Sequence, residues 1–140
     1  MGSILCATRG GEASYRAQDA AIALAKERGD ELVFLYVVDL HFLEKMGAPI
    51  VVDVENEITQ MGDFFLLIAK ERAAQQGIEA RTICQTGTIH NEIKKAARQE
   101  GATLVVLGRP AGKESAFRTA SLKAFAKQIE EDTGAETYIV

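Results

Sequence analysis

The chain has 140 residues, 47% of them hydrophobic and 26% charged, which describes one folded domain with a single real core rather than a disordered polymer. Its formal charge of −4 gives no global attraction to nucleic acid or to an anionic membrane, so any anion site must come from local clustering. No apolar run approaches the roughly 20 residues of a membrane span, and no basic segment followed by a long apolar stretch marks the N-terminus, which predicts a cytoplasmic protein.

Residues 4–8 form a short apolar run that reads as a strand. It breaks at Arg9, Gly10 and Gly11, and an amphipathic helical pattern starts straight after. A parallel strand feeding a helix N-terminus is where α/β proteins hold anions and nucleotides. Along this first helix Ala13, Ala17, Ala20, Ala21 and Leu24 make one face, small enough to approach a sheet closely. Gly29 closes the helix, and a nearly continuous apolar strand follows at 32–38.

Residues 39–52 are the one long irregular stretch, and loops of that length in compact domains are often functional. This one carries Phe42, Leu43, Ile50, Val51 and Val52, so it is expected to fold over something or to meet a partner. In the second helix Val54, Ile58, Met61, Phe65, Ile68 and Arg72 step by fours and threes along one stripe. Gly77 precedes a strand at 79–85, Gly101 one at 103–107 and Gly134 one at 136–140. Ile89, Ile93, Ala96 and Ala97 mark the inner face of the third helix, and Leu122, Phe125 and Ile129 that of the fourth.

Strand–helix alternation with right-handed crossovers predicts a Rossmann-like α/β fold: a doubly wound, five-stranded parallel sheet with helices on both faces, in one domain over residues 1–140. There is no internal repeat and no low-complexity segment.

Catalytic chemistry is not visible. Two cysteines and two histidines, with no CxxC pair, argue against zinc. His90 reads as a surface or capping residue at the start of the third helix, and His41 has no obvious acidic or cysteine partner. No serine lies in a GxSxG elbow and no carboxylate pair has acid–base spacing, so an ATP-hydrolysing enzyme ranks last among the readings.

The opening ILCATRGGEASYRAQDAAIALAKERGDELVFLYVVD resembles a universal stress protein domain, whose first strand typically ends Ala-Thr-Asp-Gly-Ser. The later stretch EGATLVVLGRPAG resembles the same family's third helix end and fourth strand. The resemblance spans essentially the whole chain and implies strand order 3-2-1-4-5, with a pocket where strands 1 and 4 diverge. In some members that pocket binds ATP, AMP or a related adenine nucleotide. Carried onto this sequence, the ligand-binding positions are Ala7, Thr8, Arg9, Gly10, Val38, Gly108, Arg109, Gly112 and Ser121.

The nucleotide-binding branch has an acidic residue at the end of strand 1, and Gly-x-x-Gly, nine residues, Gly-Ser/Thr after strand 4. Here Gly10, Gly108 and Ser121 match, whereas Arg9, Ala111 and Ala120 do not, with Gly112 one step late. The implied order also puts a strand between Cys6 and Cys84. Two strand spacings separate the thiols by about 10 Å, beyond the roughly 7 Å reach of a disulfide, so both read as buried, inert thiols.

Neighbouring strands 1 and 4 would bring Arg9 and Arg109 side by side, with Lys113, Arg118 and Arg16 near. Arginine forks pair well with phosphate or carboxylate. The alternative is that both arginines are solvated, or that Arg9 pairs with Glu12 or Asp39. The last strand, at the sheet edge, is expected to pair with its twin in a homodimer through Tyr138, Ile139 and Val140, the alternative being that Tyr138 and Val140 pack under the last helix. The resulting expectation is a small regulatory protein binding an adenine nucleotide or another anionic ligand at the strand 1/strand 4 crevice. The alternative is a dimeric stress-response interaction module that no longer binds nucleotide, with an unknown protein partner.

Overall fold

Along the chain run β1 (Ser3–Ala7), α1 (Tyr15–Arg28), β2 (Glu31–Val38), α2 (Val52–Gln75), β3 (Arg81–Thr86), α3 (Ile89–Gln99), β4 (Leu104–Leu107), α4 (Ser115–Thr133) and β5 (Glu136–Ile139). The computed structural model describes residues 2–9, 12–40, 52–109 and 115–140. The sheet is parallel throughout, in the expected order β3-β2-β1-β4-β5, with Cys6 level with Phe34 on one side and with Val106 on the other.

Alternation along the strands divides the core into two layers. Ile4, Cys6, Leu32, Phe34, Leu104 and Val106 pack against α1 and α2. Leu5, Val33, Leu35, Val105 and Leu107 pack against α3 and α4. β1 and β4 and most of β2 are therefore buried on both faces, which is why they read as unbroken apolar runs. The edge strands β3 and β5 alternate with solvent or are only half-buried. Each helix–strand turn at Gly29, Gly77, Gly101 and Gly134 has φ between 61° and 79°, the left-handed backbone that glycine adopts without strain.

Two helical faces differ from the expected ones. On α1 the buried residues are Ala17, Gln18, Ala21, Ile22 and Ala25, whereas Ala20 and Leu24 are half-buried and Ala13 lies outside the described side chains. On α2 the buried line is Gly62, Leu66, Ala69 and Ala73, not the stripe through Met61. Met61 is 52% exposed, and Phe64 and Leu67 are 59% and 56% exposed on the same outer side. The cause is steric: a Cβ on Gly62 would meet ring carbons of Tyr36 at 2.6 and 2.8 Å, so glycine lets α2 approach β2 along this line. A helix apolar on several sides has more than one periodic solution, and its smallest residues choose among them. The α3 face is as expected; on α4 Phe125 and Ile129 are buried and Leu122 half-buried.

The cysteines are free and separated by β2, Cys6 being buried and Cys84 only half-buried. Burial pushes the Cys6 thiol up to about 12 from its ordinary 9.0, and raises Cys84 as well, helped by the nearby Asp63 carboxylate. We expect a thiol reagent to label Cys84 slowly in the native protein and Cys6 only after unfolding, as read by mass spectrometry; native labelling of Cys6 would contradict this packing. The buried thiol favours the fold fully below pH 9. That preference is lost as pH rises towards 12, at no more than about 1.4 kcal/mol per pH unit.

Candidate functional site

Beyond their last paired residues, β1 and β4 separate, and the chain must leave the sheet through Thr8–Arg9 on one side and Gly108–Arg109 on the other. The space opened there, at the C-terminal ends of β1, β2 and β4, is a crevice of about 420 Å³. It lies at the topological switch point, where open α/β sheets bind ligands. Its volume falls within the roughly 300–1,000 Å³ of small-molecule sites.

The walls are largely apolar. Leu35 and Val37 from β2, Ile89 and Ile93 from α3, and Leu122 and Phe125 from α4 supply most of them, with Tyr36 and Ile58 on the α2 side. His90 stacks on Phe125, ring centroids 4.1 Å apart and planes inclined by 19°. Both residues line the crevice, so the stacked pair forms part of its wall. Tyr36 is held between Gly62 and the Phe65 ring, 6.2 Å from it.

Polar groups sit at the rim and floor. Arg9 is exposed at the mouth, and its backbone N–H donates to Ser14 Oγ at 3.2 Å, so that donor of the turn is engaged by the protein itself. Asp39, just past β2, accepts the N–H of Ile89 at 3.1 Å. This carboxylate thereby caps α3, whose own N-cap residue Thr88 makes no side-chain capping bond. At the floor Thr8 Oγ1 accepts a hydrogen from Gln18 Nε2 at 2.9 Å.

Of the residues singled out by sequence, Ala7, Thr8, Arg9 and Gly108 come together in the crevice wall. A Cβ on Gly108 would lie an ordinary 3.5 Å from that of Ala17, so the protein's own packing does not demand glycine there. Val38 is fully buried beneath the site, and Ser121 and Arg109 are exposed outside the residues lining it. The Arg109 N–H donates to the Val140 carbonyl at 3.2 Å, tying the end of β4 to the end of β5. Gly10, Gly112, Lys113 and residues 41–51 lie outside the described residues, as does the side chain of Arg118.

Sequence reasoning read His90 as a surface or capping residue and Ile58 and Phe125 as core; all three line the crevice. The stripe positions of Ile58 and Phe125 mark an inward face, but only the separation of β1 and β4 turns part of that face into a cavity wall. Among the described residues there is no cluster of potential metal ligands, and no helix is long and apolar enough to cross a membrane.

Residues 1–129 match the model of the universal stress protein family. The chain belongs to that family. Universal stress protein YxiE of Bacillus subtilis is 33% identical, over 75% of this chain and 76% of that protein. A solved universal stress protein in complex with cAMP superposes with a TM-score of 0.73 at 18% identity, covering 99% of this chain and 96% of the other. The universal stress protein from Archaeoglobus fulgidus in complex with dAMP gives 0.69 at 13% identity, covering 99% and 96%. At those identities the two structures speak for the shared fold, and the universal stress protein sheet order is the one seen here.

Proposed function

We propose that this universal stress protein is a small regulatory protein that binds an adenine nucleotide in the β1/β4 crevice. The observation that carries the reading is the crevice itself: a largely apolar cleft with the His90–Phe125 stack and Arg9 among its lining residues. The base enters against the aromatic surface, and the phosphate lies outward towards Arg9 and Arg109, where arginine forks match its oxygens. Two fold neighbours are described as complexes with cAMP and dAMP, which supports adenine as the base class. The free thiols suit a reducing compartment such as the cytoplasm.

The test begins with the purified protein denatured and its supernatant analysed by mass spectrometry for released nucleotide. Thermal shifts with millimolar ATP, AMP and cAMP follow. Stabilisation by at least one of them is expected, and Arg9→Ala with Arg109→Ala should weaken apparent affinity roughly tenfold, as loss of a charge-assisted hydrogen bond implies. No released nucleotide and no shift would overturn the reading.

The family's dimer-forming habit enters the proposal through β5, which has β4 on one side and, among the described residues, no strand on the other. Tyr138 is 46% exposed there, while Ile139 and Val140 pack against the core. A homodimer through this edge is therefore the second part of the proposal.

A further inference from the structure

Apart from Tyr138 at the sheet edge, the large apolar side chains exposed among the described residues are Met61, Phe64 and Leu67, each more than half exposed. They are spaced by three, so they form one row along α2. At about 100° per residue, Phe64 points opposite to the buried line through Gly62, Leu66, Ala69 and Ala73. Exposed apolar groups gathered on one face and rimmed by polar residues mark an interaction surface.

Phe64 is also backed from within. Its ring centroid lies 6.2 Å from that of Phe65, and Phe65 lies 6.2 Å from Tyr36, which is packed closely on Gly62. An aromatic side chain supported in this way loses little freedom when it is covered, which suits it to anchor a partner.

Charge decides what kind of partner covers the row. Glu57 and Glu71 lie seven residues before and after Phe64, two turns away on the same face, and both are exposed. Asp63 is exposed on one flank, and Lys70 is the one cation within 57–71. Arg72, just beyond, is turned inward: it donates to Gln18 Oε1 at 2.7 Å, pairs with Asp19 and lies over the Tyr15 ring. A second copy fits this pattern poorly. An antiparallel α2 pair centred on Phe64 would set Glu57 of one copy against Glu71 of the other at both ends of the contact, and like charges brought together oppose association. An anionic membrane is repelled for the same reason.

We propose that the outer face of α2 docks a basic amphipathic helix of another protein. Its apolar stripe covers Met61, Phe64 and Leu67, and its lysine or arginine side chains meet Glu57, Asp63 and Glu71. A helix is the element that seats its own ridge beside a row of this spacing. The proposal does not depend on the nucleotide reading, and its test uses no nucleotide.

The probe is a labelled helical peptide of about 18 residues, long enough to span the row and both its ends. It is built of leucine and lysine with leucines at i, i+3, i+4 and i+7, and its binding is read by fluorescence anisotropy at physiological salt. Binding to the wild-type protein is expected. Phe64→Ala with Leu67→Ala should weaken it at least about tenfold at a nearly unchanged Tm, since both side chains are exposed anchors. Glu57→Lys with Glu71→Lys should weaken it roughly threefold or more, and the same peptide with glutamate in place of lysine should bind at least about tenfold more weakly. No binding of the lysine peptide overturns the proposal. So does equal binding by the double alanine variant, because the attraction then lies elsewhere on the acidic surface. Equal binding of the glutamate peptide overturns the charge assignment.

Light scattering and vesicle flotation test the other occupants. The double alanine variant should keep the wild-type oligomeric mass, and the wild-type protein should not float with vesicles of phosphatidylcholine and phosphatidylglycerol. A mass that falls in the variant assigns the face to a second copy, and flotation that the variant loses assigns it to a membrane; either result overturns the docking of a partner helix.

Discussion

Replacing Leu66 with alanine is expected to cost about 2–5 kcal/mol of stability, a fall in Tm of roughly 7–17 °C for a domain of this size. Met61→Ala, on the same helix, should stay within about 0.5 kcal/mol of wild type. Leu66 is buried in the layer between α2 and the sheet, together with Ala69 and Ala73, and truncation leaves a cavity that close-packed neighbours cannot fill. Met61 is 52% exposed, and alanine is the better helix former. Thermal and urea unfolding of the two variants distinguish the faces directly. Comparable losses, or a larger loss at Met61, would restore the stripe that periodicity alone suggests and refute the observed rotation of α2.

Arg72→Met is the second large effect, and its sign is the informative part. As a member of an apolar stripe, position 72 should accept methionine gladly. The structure predicts a loss of about 1–3 kcal/mol, because the buried Gln18 carbonyl loses its donor and cannot reach water. The Asp19 arm contributes little to this figure, since that carboxylate is largely exposed and solvent-screened. The stacked Tyr15 contact adds to the loss. A double-mutant cycle with Gln18→Leu should show coupling of at least about 0.5 kcal/mol, because removing both ends relieves the orphaned group. A variant Arg72→Met as stable as wild type, with no coupling, would dissolve the polar chain as a structural element.

These two positions show where sequence reasoning is strong and where it stops. The glycines that end helices were legible because a left-handed backbone is a local requirement. The both-faces-apolar runs of β2 and β4 were legible because a parallel sheet covered by helices needs them, and family resemblance supplied the strand order. On α2, by contrast, Met61, Phe64, Phe65, Leu66, Leu67 and Ile68 put apolar groups on several sides of one helix. Which side turns inward was decided by the fit of Gly62 against Tyr36, a tertiary contact between successive elements that no local pattern in the helix records.

The site divides in the same way. The turn after β1 located the crevice, since a strand that ends in a glycine-rich turn before a helix announces an anion-holding corner. Arg9 and Gly108 were read from that turn and its counterpart after β4, and both line the cavity. The aromatic surface was not legible, because His90 and Phe125 lie 35 positions apart on different helices and only docking of α3 and α4 stacks them. The polar chain from Thr8 through Gln18 was equally hidden, because it ends on an arginine 64 positions from Thr8 that reads as part of a stripe.

By itself, then, the sequence determined the fold class, the family and the corner that holds the crevice, because strand composition, helix termination and motif order are local properties of the chain. Only the tertiary structure decided which face of α2 is core, which rings line the crevice and that Thr8, Gln18 and Arg72 join in one polar chain. Those outcomes depend on steric fit and hydrogen-bond direction between residues that meet only after the sheet has assembled.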